Sequence, residues 1–306
     1  FDDIDVGLHL GDYIYEYAAG GYASQNAGTL GRVSKPATEI ITLTDYRVRF
    51  QQYRTDPDLQ AVHARMPFIA VWDDHELTND TWSGGAENHD PATEGLWSAR
   101  RQMAIQAYHE WMPIRVPDAA RPDRIYRSFD FGNLLSLHML DTRVIGRDKQ
   151  LALASYVGAD RSFNSAAFTA DVTNPARQLM GTEQTAWLRN QMTKSTATWQ
   201  ILGQQVLMAR MLLPAPMVLG TTGYAAYFAI AAKVKAGVAL SAAEQQLLAA
   251  TPVPYNLDAW DGYHAARETV LNMAQTLNKN MVVLAGDTHN AWASDLADQQ
   301  GRAVGV

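Results

Sequence analysis

Apolar residues come in short runs along this chain, and three of those runs stop abruptly at carboxylates and histidines. Residues 4–17 read IDVGLHLGDYIYEY, with Ile4, Val6, Leu8 and Leu10 alternating before Gly11-Asp12; a period of two predicts a strand. Residues 68–80 read FIAVWDDHELTND, and the unbroken run up to Trp72 predicts a buried strand. Residues 281–290, MVVLAGDTHN, repeat the pattern. Open α/β sheets bind ligands outside the carboxyl ends of their strands. The three acidic ends are therefore expected to converge.

Helical spacing predicts the elements between these strands. Residues 44–53 read as a helix capped by Thr44, with Tyr46, Val48 or Arg49, Phe50 and Tyr53 on one side, ended by Asp56-Pro57. Residues 58–65 form a second short helix. The clearest spans 95–112, with Trp97, Arg101, Ala104, Tyr108 and Trp111 aligned and Pro113 as its stop. Residues 125–131 and 134–140 flank Gly132-Asn133 as a hairpin, which makes the sheet mixed. Residues 182–192 read as a capped amphipathic helix before a strand at 199–202, and 267–277 as the last helix. Residues 18–37 are loop. Residues 211–254 are Ala-rich, broken by prolines and glycines, with a helix-like stretch at 241–250, and are expected to be an insertion near the site or at the surface.

Composition narrows the class. At 306 residues, one large domain is favoured over two small ones. Hydrophobic residues at 47% and charged residues at 19% are ordinary for a globular chain, not for a disordered one or a membrane bundle. The most apolar stretch, 224–232, is too short to cross a membrane and runs into Lys233 and Lys235, so a packed or surface helix is expected. A net charge of −7 without any basic block argues against a dedicated nucleic-acid partner. Phosphoester substrates remain open, because cations can supply positive charge locally. Cysteine is absent, which removes disulfides, thiolate nucleophiles and cysteine-held zinc and leaves oxygen and imidazole donors. Phe1 already lies in a strand-like pattern with no leader before it, so either a leader was removed or this is part of a longer protein.

Each acidic end has a bland reading beside the chemical one. Gly11-Asp12 fits a turn with aromatic packing beyond it; it also fits a cation-bridging carboxylate, with Tyr15 offering a phenolate to a hard ion. Asp73, Asp74, His75 and Glu76 repel one another if buried without cations, so that cluster is either solvated or metal-loaded. Asp287-Thr288-His289 places two donors at i and i+2, on one side of an extended segment, with Gly286 allowing close backbone approach. His9, His109 and His138 are expected to be packed or surface residues, and His63 and His264 loop or helix-end positions. His89, in a polar loop with Asn79 and Asn88 nearby, reads as an outer ligand or substrate contact. Arg143 suits an anionic substrate or a structural ion pair with Asp141, the structural reading first. The Trp260-Asp261-Gly262-Tyr263 stretch reads first as a packing turn.

Taken in order, LHLGDYIYEY (8–17), VWDDHEL (71–77), GGAENH (84–89), LDTR (140–143), WDGY (260–263) and AGDTHN (285–290) resemble the PhoD-like alkaline phosphatase and phosphodiesterase family of calcineurin-like metallophosphoesterases. The resemblance covers residues 1–306 as one catalytic domain with an insertion at 211–254. It implies an α/β fold, a four-layer αββα sandwich with mixed sheets, truncated here at both ends. It implies a bimetal or trimetal site in which Asp12 bridges ions, Tyr15 binds iron, Asp73 and Asp74 contribute carboxylates, and Asp287 with His289 completes the shell. Asp74 stands where the wider superfamily's Gly-Asn-His-Glu motif has its asparagine. His75 matches the histidine that stabilises developing charge or protonates the leaving group, with Asn79, Asn88, His89 and Arg143 toward substrate. Ferric iron with calcium is the implied ion set, other divalent transition ions being the alternative. An upstream strand with an iron-binding cysteine and a preceding β-sandwich belong to the family pattern and are not in this sequence.

The function expected is metal-dependent hydrolysis of small phosphate mono- or diesters, in a periplasmic or secreted protein by resemblance. The alternatives are a metal- or phosphate-binding relative without turnover, and a phospholipase-like phosphodiesterase suggested by the apolar insertion. Oligomeric state is not readable from the chain.

Overall fold

The computed structural model describes residues 3–306; Phe1 and Asp2, where the first strand-like pattern begins, lie outside the described residues. The strands are β1 (Gly7–His9), β2 (Phe68–Ala70), β3 (Arg127–Phe131), β4 (Leu135–Met139), β5 (Trp199–Gly203), β6 (Leu212–Pro214), β7 (Pro252–Pro254), β8 (Asn280–Leu284), β9 (Leu296–Ala297) and β10 (Ala303–Gly305). The helices are α1 (Leu43–Tyr53), α2 (Pro57–Arg65), α3 (Pro91–Glu94), α4 (Trp97–Trp111), α5 (Ser165–Val172), α6 (Gly181–Lys194), α7 (Ala215–Val218), α8 (Tyr224–Lys235), α9 (Ala242–Leu248) and α10 (His264–Thr276). The fold is mixed α/β.

Two compact units are distinguishable. The first comprises Phe1–Lys149, Gln178–Leu207 and Val270–Val306, and the second Gln150–Arg177 and Met208–Thr269. The second unit thus takes in Gln150–Arg177 as well as the stretch expected as an insertion. It contains the antiparallel pair β6–β7 and a small core of Tyr156, Phe168, Val172, Ala215, Val253 and Leu257.

In the first unit, β1 and β2 pair in parallel, His9 opposite Ala70. A six-stranded sheet runs β3-β4-β5-β8-β10-β9, parallel from β4 through β10 and antiparallel at both edges. Register aligns Met139 with Gly203 and Gly203 with Leu284, so β4, β5 and β8 end side by side. Everything that follows those ends is delivered to one edge of the sheet. The core beneath is built on Ile14, Tyr46, Phe50, Val71, Trp72, Ile105, Tyr108 and Met139.

Local details correct the sequence reading. Thr42, not Thr44, caps α1: its hydroxyl accepts from the Asp45 N–H while the Asp45 carboxylate accepts from the Thr42 N–H, a reciprocal capping box. Along α4 the buried arginine is Arg100, and Arg101 turns out to Asp123. Ala104 and Tyr108 of the expected face are buried, and Arg100 rather than Arg101 joins them, its guanidinium meeting Glu39 and Glu94, each at 2.7 Å. Helix α6 begins at Gly181, and its N-cap residue, Met180, makes no side-chain cap. The hairpin pairs Phe131 with Leu135, so its loop is 132–134.

Candidate metal centre

Close backbone contact sets the geometry. Gly11 has φ +116°, and a Cβ there would lie 2.2 Å from Asp73 Cβ and 2.4 Å from Asp73 N. No other residue type lets the ends of β1 and β2 approach so closely. Asp12 (φ 59°), Asp287 (φ 66°) and His289 (φ 55°) are left-handed, a conformation costing a residue with a Cβ about 1–2 kcal/mol. The segment 287–289 is therefore a tight bend rather than extended, with Asp287 directed to Asp73 and Asp74 and His289 to Tyr15 and Asp12. Gly286 is not a close-approach glycine, since a Cβ there would meet only Gln205 O at 3.8 Å and Leu10 Cβ at 4.0 Å.

Two buried side chains hold the strand ends in place. Glu76 accepts from the N–H groups of Asp12 (3.1 Å), Tyr13 and Asp73 (2.6 Å), fastening β1 to β2. Gln205 donates to Trp72 O (2.7 Å) and Leu140 O (2.9 Å) and accepts from the Thr142 N–H (3.0 Å), while its own carbonyl accepts from Gly286 N–H (2.8 Å). One glutamine thus ties β2, β4, β5 and β8 together. Backbone groups buried at these ends would otherwise lack partners.

Within this frame the Tyr15 hydroxyl donates to Asp12 Oδ2 (3.1 Å) and lies 3.0 Å from His289 Nε2, which is 3.8 Å from Asp12 Oδ2. The Tyr22 hydroxyl meets His289 Nδ1 at 2.7 Å. Ligand atoms of Asp12, Asp74 and His75 lie within 4.8 Å of one another, as do those of Asp73, Asp74 and Asp287. The Arg143 guanidinium donates to Asp73 and, at 2.8 Å, to Asp287 Oδ1. His75 Nδ1 is 2.6 Å from Glu16 Oε2, and Glu16 Oε1 accepts from Asn79 N–H (2.8 Å), Asn88 Nδ2 (2.9 Å) and Thr78 Oγ1 (3.1 Å).

The charges are far from their solution state. Burial, reinforced by Asp73, Asp74 and Glu76, pushes Asp12 up to about 9. Burial also raises Glu76, to about 7, although three N–H donors oppose it. Burial and Asp12 raise Tyr15 well above an ordinary phenol. For His75, burial works against the charge, but Asp74 and Glu16 outweigh it and push the imidazole up to about 10. Asp74 is held below the usual carboxylate range because Arg143 and His75 overcome its burial. Cations would relieve the repulsion that raises Asp12.

The donor set fits hard cations. It offers carboxylate, phenol and imidazole groups, and Asp12 Oδ1 is buried with no hydrogen-bond partner, the condition of a ligand atom awaiting its ion.

The structure gathers Asp12, Tyr15, Asp73, Asp74, His75, Asp287, His289 and Arg143 at one place. Asn79 and Asn88 reach it through Glu16. His89 goes elsewhere: its Nδ1 is 3.0 Å from Glu94 Oε2, beside Arg100 and against the Trp97 ring. His9 is packed on Tyr13, and His138 is bonded to Ser128 and Gln200 inside the sheet, as expected. Sequence reasoning passed over Glu16, Gln205 and Tyr22. Only Glu16 left a trace, as a carboxylate between two tyrosines in an otherwise apolar stretch.

Parallel strand ends that gather these donors define a mixed α/β protein with a carboxylate-rich candidate metal centre. The chain belongs to the PhoD-like phosphatase family, which it matches over residues 1–306. It is 37% identical over 298 residues to alkaline phosphatase D of Bacillus subtilis (strain 168), across 96% of this chain and 43% of that protein. It also matches the solved structure titled "Structure of PhoD", with a TM-score of 0.72 and 35% identity, across 99% of this chain and 50% of that one. The chain thus spans about half the length of these relatives.

Proposed function

We propose that this chain hydrolyses phosphate mono- and diesters with the help of bound metal ions, as an alkaline phosphatase or phosphodiesterase of the D type. The observation that carries this reading is the partnerless buried oxygen of Asp12 among Asp74, His75, Tyr15 and His289. Asp12, Tyr15, Asp73, Asp74, Asp287 and His289 would hold the ions. Bound there, cations supply Lewis acidity, lowering the pKa of water and neutralising charge on phosphoryl oxygens. His75 keeps a proton on Nε2 for the leaving oxygen while Glu16 holds Nδ1 and orients the ring. Arg143 serves the phosphoryl group, and Asn79 and Asn88 are the further polar groups assigned toward substrate; His89, held by Glu94, is not among them.

Ferric iron with calcium is the ion set we favour from the family resemblance, and a phenol beside carboxylates is compatible with hard ions; other divalent transition ions are the alternative. In this reading the two sheets of the first unit form the middle of a four-layer αββα sandwich, residues 1–306 act as one catalytic domain with an insertion at 211–254, and the protein works in the periplasm or outside the cell. Among the described residues no helix is long and apolar enough to cross a membrane. A phospholipid diester is the second reading for substrate, favoured by the exposed Tyr224, Phe228 and Val234 of α8.

Elemental analysis with assay on bis-p-nitrophenyl phosphate tests the proposal. Iron and calcium are expected in active protein, with activity lost on chelation and restored by reloading. Full turnover by stripped protein would refute metal dependence, and ion uptake without product would mark a binding-only protein.

A further inference from the structure

Two groups of carboxylates meet at the strand ends, and they differ in what already neutralises them. Asp73, Asp74 and Asp287 surround the Arg143 guanidinium: Nε bonds Asp73 Oδ1, and Nη2 lies 2.8 Å from Asp287 Oδ1 and 3.7 Å from Asp74 Oδ1. Arg143 is fully buried, and Asp141 Oδ1 accepts its backbone N–H at 2.8 Å, so the side chain starts from a fixed point. Among the described residues, Asp12 has no guanidinium beside it: it shares Asp74 with that group, and its cationic neighbour is the single-charged His75 imidazole, within 4.8 Å. The Tyr15 hydroxyl and the half-exposed His289 face its Oδ2, and its Oδ1 is partnerless.

A guanidinium and a metal ion are both cations, and either can satisfy the same carboxylates. Where an arginine already fills that role, an ion gains only the difference between the two. We propose that Arg143 is the resident cation of the Asp73–Asp74–Asp287 group, so that ions enter the Asp12 centre first and reach the arginine-held group only by displacing the guanidinium. This rests on the metal-dependent reading above and adds an order of loading to it. It also gives Arg143 two positions with two roles. Held by the carboxylates it stands in for an ion; displaced, its planar fork is available to a phosphoryl group, whose geometry it matches.

The test is a titration of chelator-stripped protein with Mn2+, free ion being counted by electron paramagnetic resonance. Wild type is expected to show two classes of site at least about tenfold apart in affinity. Arg143→Met should tighten the weaker class by about tenfold, and Asp12→Asn should abolish the tighter one. If wild type binds a single class and a second appears only in Arg143→Met, the proposal is equally supported. Two equal classes in wild type, or an Arg143→Met protein whose weaker class is unchanged or weaker still, overturn it. Should Asp12→Asn lose no ion at all, the metal-centre reading itself fails, a result separate from the other two. If Arg143→Met folds only with Mn2+ present, the ion has replaced the arginine, as proposed. If it does not fold at all, Arg143→Lys decides: a shorter ammonium cannot span Asp73 and Asp287 together, so the weaker class should tighten by about threefold, and unchanged affinity would overturn the idea.

Discussion

His9 and His75 each lie against a tyrosine of the same short segment, with ring centroids 5.2 Å from Tyr13 and 4.3 Å from Tyr15 respectively, yet they are driven in opposite directions. Burial, with the charge of His63, lowers His9 to about 4, whereas Asp74 and Glu16 carry His75 up to about 10 against its own burial. Tyr13 belongs to the hydrophobic core, and its hydroxyl meets another imidazole, His63 Nε2 at 2.8 Å. Tyr15, two residues on, donates to a carboxylate. Burial alone therefore makes a structural histidine, and burial beside unbalanced carboxylates makes a chemical one. His138 extends the rule: it is as buried as His75, but its partners are a hydroxyl and an amide, and its pKa is lowered.

The strongest way to break the comparison is to remove the imbalance. Asp12→Asn keeps the shape and suits the left-handed backbone at this position, but discards the charge. Turnover of a phosphodiester should fall by about a thousandfold with loss of bound ion. Thermal stability of the stripped protein should hold or rise, because a repelled buried carboxylate has gone. A large fall in stability with activity intact would show that Asp12 is structural, as Tyr13 is.

Next in size is Gly11→Ala. The new Cβ would sit inside contact distance of Asp73, at a φ that only glycine adopts freely. A loss of about 2–4 kcal/mol in urea unfolding is expected, and ion binding should weaken with it, since Asp12 and Asp73 are both displaced. Gly286→Ala is the control and should cost far less, as nothing lies closer than 3.8 Å to its added Cβ.

These two glycines show how far the sequence could be read. Runs of apolar residues stopping at carboxylates marked β1, β2 and β8 and placed Asp12, Asp74 and Asp287 together, because strand polarity and burial are local properties. Which glycine was essential depended on what lay across the sheet, and Gly11 faces Asp73 from a strand some sixty residues away in sequence. Gln205 is silent for the same reason: its amide acts as a fastener only because two other strand ends, those of β2 and β4, lie around it. The cap of α1 was misplaced by two residues because Thr42 and Thr44 are equally good caps, and the reciprocal bond to Asp45 decides between them.

Glu16 offers a subtler test of the His75 side of the comparison. Glu16→Gln removes the charge that opposes burial of the imidazolium while leaving an oxygen for the Asn79 N–H. A fall in kcat of about tenfold to a hundredfold is expected, with bound ion unchanged by elemental analysis. Loss of ion together with rate would mean that Glu16 acts through the ligands and not through His75.

The smallest effect falls on the other histidine and is read in stability rather than rate. His9 Nδ1 accepts from the Gly11 N–H at 3.3 Å, a bond that only the unprotonated ring can make. Its pKa is 6.5 in the unfolded chain and about 4 in the folded one, so the unfolded state takes up the proton first as the pH falls. The folding free energy is thus untouched above about pH 6.5, declines between 6.5 and 4, and has lost its full amount below 4, at most about 3 kcal/mol for this group. Carboxylates titrate in the same range, so the informative quantity is the difference between wild type and His9→Asn, whose side-chain oxygen can still accept from Gly11. That difference, measured by urea unfolding at pH 7, 5 and 4, should move steadily in favour of the variant as acid is added. A difference that stays constant with pH would place His9 in the same electrostatic class as His75, and the contrast between the two rings would be lost.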